Sequence, residues 1–149
     1  MRAVVQRVRQ CSVSAEGRLS GQIESGLLVY LGVGQDDSEK DLAYTVEKVT
    51  NMRIFPDDEG KMNLSAADLR KEIMVVSQFT LFGDTRYGRR PSYSSAAEPR
   101  KAKLYYQRFV ELLKNKGFRV QTGQFAAAME VSSVNVGPVT ILLDSEKLF

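Results

Sequence analysis

Apolar residues fall in two rhythms along this chain, and the alternation between them outlines a mixed α/β protein. Residues 1–8 are apolar-rich, and Cys11, Val13 and Ala15 alternate with polar neighbours at the two-residue period of a strand. These predict two strands, 1–8 and 11–15. Glu16-Gly17 is a turn signal that leads into a strand over Leu19 to Ile23. Leu27 to Val33 is continuously apolar and reads as a strand covered on both faces. The rhythm then changes. Leu42, Val46 and Val49 recur at helical spacing, and Ser38 with Asp41 three residues on supplies an N-cap. A helix is expected over about residues 39–51.

Arg53-Ile54-Phe55 reads as a short strand and Pro56 to Gly60 as an exposed turn. The acids Asp57, Asp58 and Glu59 lack calcium-loop spacing, so they read as a solvated loop. Ser65 can cap a single turn through Leu69. Ile73 to Val76 is a buried strand that runs directly into Ser77-Gln78-Phe79-Thr80-Leu81. Ser77, Gln78 and Thr80 are the first polar side chains after that strand, where open sheets present functional groups. The plainer alternative is a strand that continues, with its hydroxyls bonded to main chain. Ser95-Ala96-Ala97-Glu98 matches a capping box and predicts a helix from about Ala96 to Lys116. Its buried stripe would be Tyr105, Phe109, Leu112 and Leu113, and Gly117 its stop. Phe118 to Gln121 opens the last β region. Met129 to Val134 and Val139 to Leu143 read as strands, and Asn135-Val136-Gly137-Pro138 between them as a hairpin turn.

Composition narrows the chemistry more than the fold. A chain of 149 residues fits one domain, and 43% hydrophobic with 26% charged residues suits a globular protein. No apolar run approaches the roughly 18 residues of a membrane span, and Arg7 comes too early for a secretory leader. A single cysteine, Cys11, leaves a reducing cytoplasm as the default and reads as a small buried residue. The chain has no histidine. Histidine-based triads and metal sites are thereby excluded, and neither metal nor cofactor is expected.

The net charge is +3, which permits a polyanionic partner without requiring one. Between Arg86 and Arg108 the bases Arg86, Arg89, Arg90, Arg100, Lys101, Lys103 and Arg108 face one acid, Glu98. Tyr87, Tyr93, Tyr105 and Tyr106 are interleaved with them. Bases neutralise phosphates and rings offer stacking platforms, so an RNA contact stands beside a solvated helix face as a reading.

Two stretches, Ser77-Gln78-Phe79-Thr80-Leu81 and Asn135-Val136-Gly137-Pro138-Val139-Thr140, resemble the paired signatures of the D-aminoacyl-tRNA deacylases. Gln6-Arg7-Val8, Gly26-Leu27-Leu28-Val29, Arg53-Ile54-Phe55, Gly60-Lys61-Met62-Asn63 and Arg90-Pro91-Ser92 match in the same order, so the resemblance spans the chain. Val136 departs from a usual acid, and Ala126 from a usual glycine. The resemblance implies a single α/β domain, mostly antiparallel sheet in a barrel-like core flanked by two main helices. It implies a homodimer in which one subunit's Gly137-Pro138 loop, with a cis bond, enters the other's active site. Arg7 is implied to hold the loop, and Met129 to line the substrate site.

The implied activity is hydrolysis of the ester joining a D-amino acid to the terminal adenosine of tRNA. Backbone N–H groups around Gln78 and Phe79 would hold the developing oxyanion. Thr80 has no evident activating base in the sequence, so the ribose 2′-hydroxyl of the substrate is the expected orienter of water. L-amino acids would be rejected by clash, which leaves glycyl-tRNA cleavable. The alternatives are a related editor of L-alanyl-tRNA, a non-catalytic tRNA-binding module, and a structural oligomer.

Overall fold

The computed structural model describes residues 1–148. One long strand organises them. β1 (Arg2–Ala15) is continuous across the two predicted strands, because its neighbours change along its length while its partner on one edge does not. Residues 2–8 pair antiparallel with β3 (Gly26–Gly32), and residues 11–15 pair antiparallel with β2 (Arg18–Ile23). The β1–β2 reversal places Glu16 and Gly17 both at positive φ, 51° and 73°, the geometry that two-residue hairpins favour.

Helix α1 (Glu39–Asn51) starts at Ser38 with the expected capping box, since Ser38 N–H donates to Asp41 Oδ2 at 2.8 Å. A small hairpin follows, β4 (Phe55–Pro56) with β5 (Met62–Leu64). The acidic turn within it is folded on Asp57, whose Oδ1 accepts from the N–H groups of Glu59 and Lys61. β6 (Glu72–Ser77) then joins β3 in parallel, a 3-10 turn spans Phe79–Phe82, and α2 covers Pro99–Asn115. β7 (Val120–Thr122) extends the sheet parallel to β6, and β8 (Met129–Asp144) returns along the other edge of β1. The main sheet therefore runs β2-β1-β3-β6-β7 with β8 on β1. It curls nearly closed. A Cβ added to Gly21 of β2 would lie 2.9 Å from the Thr122 carbonyl of β7, so only glycine lets the two ends approach.

Alternate residues of the central strands feed two apolar clusters. Leu27, Val29, Ile73 and Val75 pack outward under the helices, against Leu42, Val46, Phe109 and Leu113. Leu28, Met74 and Val76 point into the curl with Val8, Cys11, Val13 and Ile23. Both faces of β3 and β6 are thus buried, as their continuous apolar runs require. Each such side chain contributes roughly 1.5–3 kcal/mol on burial. Burial also pushes the Cys11 thiol up to about 11, so it packs as a hydrophobe.

Besides the merged β1, and β4 at Phe55–Pro56 where the sequence predicts a strand over Arg53 to Phe55, two elements differ from expectation. α2 begins at Pro99 with Glu98 as N-cap, not at Ala96, because the residue before a proline is driven out of helical backbone while proline itself suits the first helical position. Its buried face is Tyr106, Phe109, Val110 and Leu113, with Tyr105 and Leu112 only partly covered. More consequential is β8. The residues around Gly137-Pro138 do not reverse the chain, since both flanks pair with β1: Val8 with Asn135, and Gln6 with Thr140. Residues 136–139 bulge out of one continuous strand opposite Arg7. No helix among the described residues is long and apolar enough to cross a membrane.

Candidate active site

β6 is buried until Val76, and the chain then turns sharply instead of continuing as strand. Gln78 N–H donates to the Leu31 carbonyl at 2.8 Å, which ends the sheet and sets the start of the turn. Gly32 at the end of β3 makes room: a Cβ there would sit 2.9 Å from the Gln78 carbonyl and 3.2 Å from Leu81 Cβ. Arg2 braces the turn from outside. Its Nη1 donates to the Leu81 carbonyl at 3.0 Å, its guanidinium lies 4.6 Å from the Phe82 ring centre, and its Nε pairs with Asp144 at 3.0 Å. Sequence reasoning missed Arg2, which lies in strand β1 with no motif around it.

The turn's polar groups are now sorted. The Gln78 N–H is committed to the sheet. Phe79 and Thr80 open the 3-10 turn, and first-turn N–H groups have no carbonyl one turn back to receive them. The Thr80 hydroxyl oxygen accepts from the Gln78 side-chain amide, which is a donor and cannot act as a base.

This turn opens on a pocket of about 690 Å³ whose lining includes Ser77, Gln78, Phe79, Tyr93, Phe125 and Met129. Ala96, Ala97 and Pro99 form a further wall, and Tyr106 part of its base. Tyr106 is fixed by a 2.9 Å bond from its hydroxyl to the Val75 carbonyl, and burial pushes that phenol up to about 12. The ring is core, not a stacking platform. Phe79 is 56% exposed and meets Tyr93 edge-on at 5.1 Å. Of the missed pocket residues, Phe125 and Ala126 had a legible signal. Ala126 has φ 62°, the left-handed backbone that explains why glycine is usual there.

Gly137, Pro138 and Arg7 are elsewhere. Arg7 pairs with Leu27, whereas Ser77 pairs with Leu31. That offset is about 13 Å along the strands, and β8 and β6 are about 14 Å apart across β1 and β3. The bulge is exposed and held by neutral and cationic donors. Arg7 Nη1 donates to the Ile54 carbonyl at 2.6 Å and its Nε to the Val136 carbonyl at 3.1 Å. Asn135 Oδ1 accepts from Val139 N–H at 3.0 Å, and its amide donates to Thr140 Oγ1 at 2.9 Å. The Gly137–Pro138 peptide is cis and Gly137 has φ 122°. The structure therefore groups Ser77, Gln78, Phe79 and Met129, sets Thr80 beside them, and separates all of these from Gly137, Pro138 and Arg7.

The basic stretch divides as well. Lys101 donates to the Gln35 carbonyl, Arg108 pairs with Glu39 at 2.5 Å, and Arg86 pairs with Asp84 at 2.7 Å. Among the described residues Arg89, Arg90, Arg100 and Lys103 enter no ion pair.

The family model described as D-Tyr-tRNA(Tyr) deacylase matches residues 4–144. The D-aminoacyl-tRNA deacylase of Thermosipho africanus is 57% identical over 149 residues, all of both chains. That of Thermotoga petrophila is 58% identical over the same full length. A solved structure titled c-Myc DNA Unwinding Element Binding Protein is 39% identical, superposes with a TM-score of 0.91, and is matched over 97% of this chain and 98% of its own. A probable eukaryotic D-amino acid tRNA deacylase shares the fold at a TM-score of 0.83 and 17% identity, over 95% of this chain and 97% of its own. On the match of nearly the whole chain and the full-length relatives, this protein belongs to the D-Tyr-tRNA(Tyr) deacylase family.

Proposed function

We propose that the protein hydrolyses the ester of D-aminoacyl-tRNA, releasing the free amino acid and tRNA. The observation that carries the reading is the Ser77–Phe79 turn opening on an apolar-walled pocket, in a chain whose full-length relatives bear that activity in their names. The pocket receives the terminal adenosine with its aminoacyl group. The N–H groups of Phe79 and Thr80 meet the carbonyl oxygen as it gains negative charge. With Gln78 N–H spent on Leu31, the donors are one residue further along than the sequence alone suggested. No base activates Thr80, so the attacking group is water, oriented by the substrate's own 2′-hydroxyl. Soluble enzyme in the cytoplasm fits the tRNA substrate, and the reaction as written needs no metal or cofactor.

Handedness is checked by a second subunit. The bulge at Gly137-Pro138 lies too far from its own turn to act there, which supports a homodimer with each bulge entering the partner's pocket. It offers backbone and no reactive side chain, so it selects by leaving no room for an L side chain. Glycyl-tRNA is cleaved under the same rule. In assay, D-tyrosyl-tRNA should release tyrosine and L-tyrosyl-tRNA should persist. Thr80→Ala should keep kcat within about threefold, while a terminal 2′-deoxyribose should abolish turnover. Loss of activity in Thr80→Ala with full activity on the deoxy substrate would overturn the mechanism.

A further inference from the structure

Between Gly83 and Tyr93 the chain leaves the pocket mouth and returns to it. The two sides are tied by reciprocal backbone bonds, Asp84 N–H to the Ser92 carbonyl at 2.8 Å and Ser92 N–H to the Asp84 carbonyl at 2.9 Å. Both roots belong to the active site. Gly83 N–H donates to the Thr80 carbonyl at 2.9 Å, and Tyr93 lines the pocket against Phe79. Arg86 is folded back on Asp84 by bonds of 2.9 Å from Nε and 2.7 Å from Nη2, so its charge serves the arm itself. At the tip, Gly88 at φ 74° carries the reversal, and Tyr87 is 83% exposed. Arg89 and Arg90 beside it are exposed and enter no ion pair among the described residues.

A solvent-facing aromatic ring flanked by two uncommitted guanidiniums matches the chemistry of an unpaired nucleotide, a π-face next to a phosphate. Resting on the reading of the pocket as the seat of the terminal adenosine, we infer that this arm grips the single-stranded nucleotides immediately before that adenosine. Tyr87 stacks on one base, while Arg89 and Arg90 neutralise the adjoining phosphates. Stacking and phosphate contact carry little sequence information, so the arm would accept the acceptor ends of many tRNAs without reading their stems. A protein or membrane partner is disfavoured because the tip presents no contiguous apolar surface beyond the one ring.

The test compares three probes in wild type, Tyr87→Ala, the pair Arg89→Ala with Arg90→Ala, and Lys114→Ala as a distant basic control. With D-tyrosyl-tRNA, the arm variants should raise KM about tenfold and leave kcat unchanged, the loss of one stacked base or its phosphates. With D-tyrosyl-adenosine, which ends where the arm begins, all variants should match wild type. Binding of an uncharged, fluorescein-labelled RNA hairpin with a single-stranded 3′ end should weaken in the arm variants only. The salt slope of that binding should fall by about 0.7 for each phosphate contact removed. Arm variants that bind the hairpin as wild type does would overturn the proposal, as would equal losses on both esters. Failure of wild type to cleave either ester would overturn the functional reading instead, with the hairpin binding still reporting on the arm.

Discussion

The turn at Ser77–Thr80 and the bulge at Gly137-Pro138 carry the two signatures of the family, and they are built by opposite means. The turn follows from a buried strand that ends: Leu31 captures the last sheet donor, Gly32 yields space, and Arg2 braces the Leu81 carbonyl. It opens on its own pocket. The bulge follows from a strand that continues: β1 pairs with β8 on both sides of it, and four residues have nowhere to go but outward. It faces solvent and does not line the pocket at the turn. On the proposed function, one region would be half a site that lacks a selector, and the other a selector that lacks a site. In the proposed homodimer a second copy would supply each with what it lacks, and the separation of turn and bulge within one chain supports that proposal.

The largest effects should come from disabling each half separately and then mixing. Phe79→Pro deletes one of the proposed oxyanion donors at a first helical position that tolerates proline, and should cut kcat by about 10²–10³. Gly137→Ala strains the bulge, since φ 122° is closed to alanine and its Cβ would lie 2.8 Å from Val139 and 2.9 Å from Arg7. Each homodimer should be nearly inactive. Unfolded and remixed in equal amounts, half the dimers are mixed and carry one intact composite site of two, so about one quarter of wild-type activity should return. Activity that stays near zero after remixing would mean that turn and bulge act within one chain.

Arg7→Ala sharpens the same contrast more gently. It removes the 3.1 Å bond to Val136 of the bulge and the 2.6 Å bond to Ile54, through which Arg7 ties the two together, at a cost of about 1–2 kcal/mol in stability. The bulge keeps its Asn135 clasp but loses its footing. The ratio of kcat/KM for D- over L-tyrosyl-tRNA should fall about tenfold, one such charge-assisted contact's worth of placement. Phe79→Pro, by contrast, should lower both rates and leave the ratio alone. Equal ratios in the two variants would erase the division of labour.

Much of this was legible in the sequence, and most of the exceptions share a cause. Helix α1 could be read because Ser38, Asp41, Leu42, Val46 and Val49 are local to one another. The bulge was misread because Asn, Gly and Pro look the same in a hairpin and in an excursion. What separates the two is a distant partner, β1, whose unbroken length no local pattern declares. Tyr106 was misread for a related reason. Basic neighbours in sequence made it look like a surface ring, while the carbonyl it bonds is on β6. Pro99 was different: its restriction on Glu98 was local, and it should have outweighed the capping box. At the pocket, Tyr93 and Phe125 come from loops distant in sequence that meet only in the fold.

Acid separates the two regions by the chemistry of their ties. The arm beside the turn is held by Asp84, whose carboxyl is drawn down to about 2 by hydrogen bonds from the Arg86 side chain, then from its backbone. Its folded value is depressed from the ordinary 3.8, so the stabilisation is complete above that value and is lost as pH falls through about 2. Arg86 is exposed and Asp84 only partly covered, so the tie is weak and screened by salt. The bulge is held by the Asn135 amide and by Arg7 bonds to carbonyls, ties that contain no carboxylate. Between pH 4 and pH 2, amide exchange at Arg86 and Ser92 should therefore accelerate before exchange at Val139 does. Asp84→Asn should make the arm's exchange independent of pH over the same window, once the intrinsic acid dependence is divided out. Simultaneous loosening of arm and bulge would show that the two halves share one cooperative unit, and the separation argued from their ties would fail.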